Sequence, residues 1–158
     1  MNPFQQLHDL CVEKKVSIAT AESCTAGLLA AKITSIPGAS SFFKGGIIAY
    51  QNDIKINHLG VSKSLIKEKT EVCAEVVQQM AQGVRNKFSA DFSVATSGYA
   101  GPTGGSELNP IGTVFIAISS KEKTISKRFV FVGDRESIVS QSVISGAEFL
   151  VEVLKNNK

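Results

Sequence analysis

Ser23, Cys24 and Thr25 place a hydroxyl, a thiol and a second hydroxyl in succession, where the apolar, β-rich run Val16 to Ala21 gives way to a helical pattern after Glu22. The spacing predicts that they stand at a helix N-terminus. Unpaired backbone N–H groups and the positive end of the helix dipole meet at such a place, which suits an anion or a developing oxyanion. A serine or threonine there can equally do no more than cap the helix. As a nucleophile Ser23 needs a base, and the only histidines, His8 and His58, fall outside every polar cluster, so a Ser-His-Asp triad lacks its base. Two histidines and three scattered cysteines also give no zinc-site spacing. The candidate base is the pair Tyr50 and Lys55, at the end of a second strand-like run. A lysine takes a proton when burial lowers its pKa, or stays charged and lowers the pKa of a neighbouring tyrosine so that the phenolate takes it. Cys24 is the rival nucleophile, since a helix N-terminus lowers thiol pKa, though a small cysteine reads equally well as core.

Glycines mark two further segments. Gly45 and Gly46 lie within Phe42 to Tyr50, where they let another backbone or a ligand approach closely. Ser97, Gly98, Gly101, Thr103, Gly104 and Gly105 belong to a run that follows the strand-like Asp91 to Thr96. Its Gly98-x-x-Gly101-x-x-Gly104-Gly105 spacing is neither the dinucleotide fingerprint nor a Walker loop. It reads as a structural turn or as a loop whose backbone N–H groups reach a nucleotide. Arg135, just after Gly133-Asp134, is placed to clamp a phosphate or to remain a solvated surface group.

The elements that must position these groups alternate. Phe4, Leu7, Leu10 and Cys11 recur at helical intervals, and Val16 to Ala21, Phe42 to Tyr50 and Asp91 to Thr96 read as strands. Thr70 is the expected N-cap of a helix to about Phe88, with Val72, Val76, Met80, Val84 and Phe88 as its core stripe. Gly112 to Ser119 and Thr124 to Val132 are strands joined by the short polar link Ser120-Lys121-Glu122-Lys123, hence an antiparallel hairpin. Asp134 caps a final helix carrying Ile138, Val143, Ala147, Leu150 and Leu154. Alternation of this kind predicts an α/β fold, a three-layer α/β/α sandwich with a mixed sheet, mostly parallel with an antiparallel hairpin. Ligands in such sheets bind beyond the carboxyl ends of parallel strands, where the segments after Ala21 and Thr96 lie.

At 158 residues and 43% hydrophobic content, residues 1–158 suit a single domain with a sizeable core. The charge of +3, from 17 Lys and Arg against 14 Asp and Glu, is spread along the chain, unlike the concentrated basic stripe of a nucleic-acid binder. Three cysteines, an odd number, argue for free thiols in a reducing compartment. Met1 to Leu10 shows no basic region followed by an apolar stretch, and no run approaches 18 apolar residues. The expectation is a soluble, cytoplasmic protein with no membrane partner.

Taken in order, A-E-S-C-T-A-G (Ala21 to Gly27), G-G-I-I-A-Y-Q-N-D-I-K (Gly45 to Lys55), S-G-Y-A-G-P-T-G-G (Ser97 to Gly105), N-P-I-G-T-V (Asn109 to Val114) and V-G-D-R (Val132 to Arg135) resemble the CinA C-terminal domain family. The likeness runs from about Phe4 to about Leu154. It implies the sandwich fold, with about five strands. Characterised members are nicotinamide-nucleotide amidohydrolases, so the resemblance implies deamidation of nicotinamide mononucleotide to nicotinate mononucleotide and ammonia, in pyridine-nucleotide salvage, without metal or organic cofactor. The family's proposed catalytic group maps onto Ser23, Tyr50 and Lys55. Backbone N–H groups of Cys24 and Thr25 would hold the oxyanion, with Gly45, Gly46, the Ser97 to Gly105 loop and Arg135 around the substrate. A homo-oligomer is expected. Longer members carry a further N-terminal domain, whose activity is not expected of this unit. The alternative is an inactive nucleotide-binding module acting through a protein partner in competence or DNA-damage responses. The sequence departs from the family at Tyr99, where members often carry a small aliphatic residue, and at Thr103, where Asp or Gly is frequent; both bear on substrate preference.

Overall fold

The computed structural model describes residues 1–157. Its centre is β1 (Ile18–Glu22), whose five residues are all buried. β2 (Phe43–Ile48) and β3 (Phe92–Gly98) flank it, both parallel to it. β4 (Thr113–Ser120) pairs antiparallel with β3, and β5 (Thr124–Val130) antiparallel with β4, giving the order β2-β1-β3-β4-β5. Four strands therefore run one way and β4 alone opposes them. This is the expected mixed sheet of five strands.

Alternation along the strands divides the core. On one face Ile18, Val94, Val114 and Ile116 meet Leu7 of α1 (Pro3–Lys14), Leu29 and Ile33 of α2 (Leu28–Ile33), and Ile138 and Leu150 of α6 (Arg135–Asn156). On the other face the strands offer small residues, Ala19, Ala21, Ala95 and Ala117, against Val76, Met80 and Val84 of α5 (Ala74–Phe88). The alanines leave room for a long helix to lie close to the sheet, with α3 (Asn52–Leu59) and α4 (Lys63–Lys69) packed outside it. Where α3 crosses α5 the chain has Gly83, because a Cβ there would collide with the backbone of Leu59. α6 is the one helix among the described residues long and apolar enough to cross a membrane; its apolar side, from Ile138 to Leu154, is buried in this core.

The helix expected from Thr70 begins later. Thr70 ends α4, with a left-handed φ of 67° and its N–H on the Ile66 carbonyl, and Cys73 is the N-cap of α5. Val72 is buried in the connection between the two helices, so it fell into the period of α5 without belonging to it. α3 and α4 have no counterpart in the hydrophobic pattern.

The chain passes from β1 to β2 on one side, then crosses to β3 on the other, so the loops after β1 and β3 diverge from a common point. Such a switch point is where open α/β sheets form their binding crevice.

Candidate active site

The turn after β1 is organised by Glu22, the last residue of that strand and only 1% exposed. Its carboxylate accepts hydrogen bonds from the Leu29 N–H (2.9 Å), the Ala30 N–H (3.0 Å) and the Thr25 hydroxyl (2.6 Å). Thr25 Oγ1 lies 2.8 Å from Thr96 Oγ1 as well, and the Ser23 N–H donates to the Thr96 carbonyl at 3.1 Å. The turn is thus stapled both to the helix that follows it and to β3. The expected helix N-terminus at Ser23 to Thr25 is corrected: Ala26 and Gly27 take left-handed φ values of 48° and 95°, and α2 starts only at Leu28. Its first amides are satisfied by Glu22 rather than left for a ligand. The backbone N–H groups of Cys24 and Thr25, by contrast, donate to no other described residue.

Lys55 reaches this turn from α3. It is completely buried, and its Nζ donates to Ser23 Oγ and to the Tyr50 carbonyl, both at 3.1 Å. The Ala49 N–H on the Glu22 carbonyl, at 2.7 Å, fixes the end of β2 from which α3 starts. Burial pulls the Lys55 pKa below its ordinary value of 10.5, partly offset by the negative charge of Glu71. Among the described residues Lys55 has no ion-pair partner. A lysine so placed can give up its proton and then accept that of Ser23. Cys24 is held differently, its buried thiol pushed up to about 12 by desolvation, so it stays a thiol near neutral pH.

Ser23, Cys24, Tyr50 and Lys55 line a cleft of about 250 Å³ with Glu71, Ser97, Gly98, Tyr99, Ala100, Gly101, Thr103 and Arg135. Arg135 spans its mouth, donating to the Gly101 carbonyl (2.6 Å) and to the Tyr50 hydroxyl (2.9 Å). The Tyr50 phenol is therefore engaged with Arg135, while the contact with Lys55 comes from the Tyr50 backbone; the expected Tyr50 and Lys55 side-chain pair is not formed. Thr25 is not on the cleft wall.

Gly45 and Gly46 are not among the residues that line this cleft. A Cβ on Gly46 would strike the Thr20 side chain on β1, while one on Gly45 would meet the Phe88 ring in ordinary contact. Gly104 and Gly105 turn toward a separate shallow hollow with Ser106, Pro110 and Ile111. Two acids went unread as site residues. Glu22 did leave a signal, an acid closing an otherwise apolar strand; Glu71, in the link between α4 and α5, left none.

Fold and cleft together define a three-layer α/β domain with a serine–lysine site at its sheet switch point. The CinA C-terminal domain matches residues 2–154, and the chain belongs to that family. It is similar to the CinA-like protein of Fervidobacterium nodosum, 44% identical over 144 residues, covering 91% of this chain and 35% of that protein. The CinA-like protein of Thermotoga maritima is 42% identical over 149 residues, covering 94% and 36%. The chain thus spans about a third of the length of these curated relatives. A crystal structure of a competence-damaged protein (CinA) superfamily protein from Klebsiella pneumoniae superposes with a TM-score of 0.94 at 31% identity, covering 99% of this chain and all of that one.

Proposed function

We propose that this domain is an amidohydrolase that converts nicotinamide mononucleotide and water to nicotinate mononucleotide and ammonia. The observation that carries the reading is the 3.1 Å contact between Ser23 Oγ and the Nζ of a wholly buried lysine. In its neutral form Lys55 takes the Ser23 proton as Oγ bonds to the carboxamide carbon. The resulting oxyanion is met by the unpartnered Cys24 N–H, with that of Thr25 next along the chain. Collapse of the tetrahedral centre breaks the C–N bond, and the Lys55 proton leaves with ammonia. Water then attacks the acyl-serine with Lys55 again as base, which returns Ser23 and releases the carboxylate. Arg135, with its charge at the cleft mouth, is suited to the phosphate. The family resemblance supplies the nicotinamide nucleotide as substrate.

The test is ammonia release from nicotinamide mononucleotide beside a panel of other small amides. Turnover restricted to the nucleotide supports the reading. Calorimetric binding without ammonia over hours at saturation replaces it with the nucleotide-binding module.

A further inference from the structure

Glu71 takes no part in these proton transfers, yet it lines the cleft beside Ser23 and Lys55. It is fastened there by its own backbone, whose carbonyl accepts the Ser97 hydroxyl at 2.8 Å. Its negative charge opposes the effect of burial on Lys55, with which it shares the cleft lining. Neither Lys55 nor any other described cation forms an ion pair with it, and no described side chain donates to it. A glutamate that lines a small cleft, with no described partner on its carboxylate, is available to a ligand's positive charge.

We propose that Glu71 makes the cleft select a substrate whose ring carries a positive charge, while Arg135 takes the anionic group of the same molecule. The inference rests on the amidohydrolase reading for the position of the ring. With the carboxamide carbon at Ser23 Oγ, the ring to which it is attached is one bond away, in the space that Glu71 borders. Oxidised nicotinamide mononucleotide has a cationic pyridinium there. Its 1,4-dihydro form has a neutral ring with the same carboxamide, ribose and phosphate, so the two ligands differ chiefly in the charge that Glu71 would read.

The experiment is calorimetry of both nucleotides on Ser23→Ala protein, which removes turnover, with and without Glu71→Gln. The substitution keeps the backbone carbonyl that holds Ser97. The expected result is at least about tenfold tighter binding of the oxidised form, about 1.4 kcal/mol, when Glu71 is present. The gap should close to within about twofold in Glu71→Gln and return in Glu71→Asp, with the reduced form bound alike by all three. Equal affinity for the two forms with Glu71 present, a gap that persists in Glu71→Gln, or binding of neither form overturns the inference. Ammonia release by the unmodified protein is read separately: charge-selective binding without ammonia removes the amidase reading and leaves selection by Glu71 standing.

Discussion

The turn after β1 and the loop after β3 border the same cleft, but they are held in different ways. The first is short and largely buried, and its Ser23 and Thr25 hydroxyls are tied to Glu22, Thr96 and Lys55. The second, residues 99–112, is closed at its base by the Tyr99 N–H on the Thr113 carbonyl (2.9 Å) and the Gly112 N–H on the Tyr99 carbonyl (2.8 Å). Beyond that it is supported from outside, by Arg135 on Gly101 and by Arg128 on Leu108 and Asn109. Buried polar networks hold atoms to tight tolerances, because a broken bond there leaves an uncompensated group in a low dielectric. An exposed loop on long arginine side chains has no such penalty. On the proposed reading the reacting groups sit on the first region and the contacts to the rest of a ligand on the second. Tyr99 and Thr103 both fall on the second.

Removing the base should break the first region's contribution most severely. Lys55→Met is expected to lower kcat by on the order of 10³-fold with KM changed less than about threefold, measured by ammonia release. In the unmodified protein, on the amidohydrolase reading, kcat/KM should rise with pH to a midpoint below 10.5, as the buried lysine loses its proton, and Lys55→Met should lose that limb. Stability follows the same sign. The unfolded chain holds the Lys55 proton more tightly than the native one, so stability rises with pH between the lowered native pKa and 10.5; denaturant titrations of Lys55→Met should lack that rise.

Glu22→Gln tests whether the turn itself must be rigid. It keeps the shape but loses one carboxylate oxygen and the charge that accept two amides and a hydroxyl. A loss of about 2 kcal/mol in chemical denaturation is expected. A drop of roughly 10²-fold in kcat, larger than any rise in KM, should accompany it, from misplacement of Ser23. A fall in stability with kcat intact would mean that the network supports the fold alone.

The second region should respond the other way. Arg135→Lys removes the fork that joins Gly101 and Tyr50, and should raise KM for the nucleotide about tenfold while kcat moves less than about threefold. Tyr50→Phe should give a smaller change of the same kind, because its hydroxyl touches Arg135 and not the serine. A large kcat effect from Tyr50→Phe would return the phenol to the proton transfer. The smallest catalytic effect belongs to Gly46→Ala, which lies in neither region: a melting shift equivalent to about 1–3 kcal/mol, with KM and kcat of the folded protein unchanged.

The central strands β1, β3 and β4 were legible as buried runs bounded by polar or glycine-rich punctuation, β5 by the short polar link that joins it to β4, and Asp134 as the cap of α6 by its residue type ahead of an apolar period. α3 was not, because its buried face is built around Lys55, a charged residue that a hydrophobic pattern assigns to solvent. The lysine that reaches Ser23 also hid the helix that carries it. Thr70 looked like a cap by residue type, while its left-handed φ is invisible in the sequence. At Gly46 the missing side chain means close approach by the Thr20 side chain, and a sequence does not say whether protein or ligand approaches a glycine. Ser23 and Lys55 were named from motif order; that Lys55 touches the serine directly and Tyr50 does so through neither its phenol nor its carbonyl needed coordinates.

Gly83, at the crossing of α3 and α5, carries a consequence for mutational mapping. No atom of it borders the cleft, yet the helix pressed against it delivers Lys55. A library of single substitutions scored on growth or turnover will therefore colour position 83 as strongly as the serine itself. The footprint drawn from such a screen will extend through the α5 layer, and its outline will trace the mechanical supports of the lysine as well as the surface that meets a ligand.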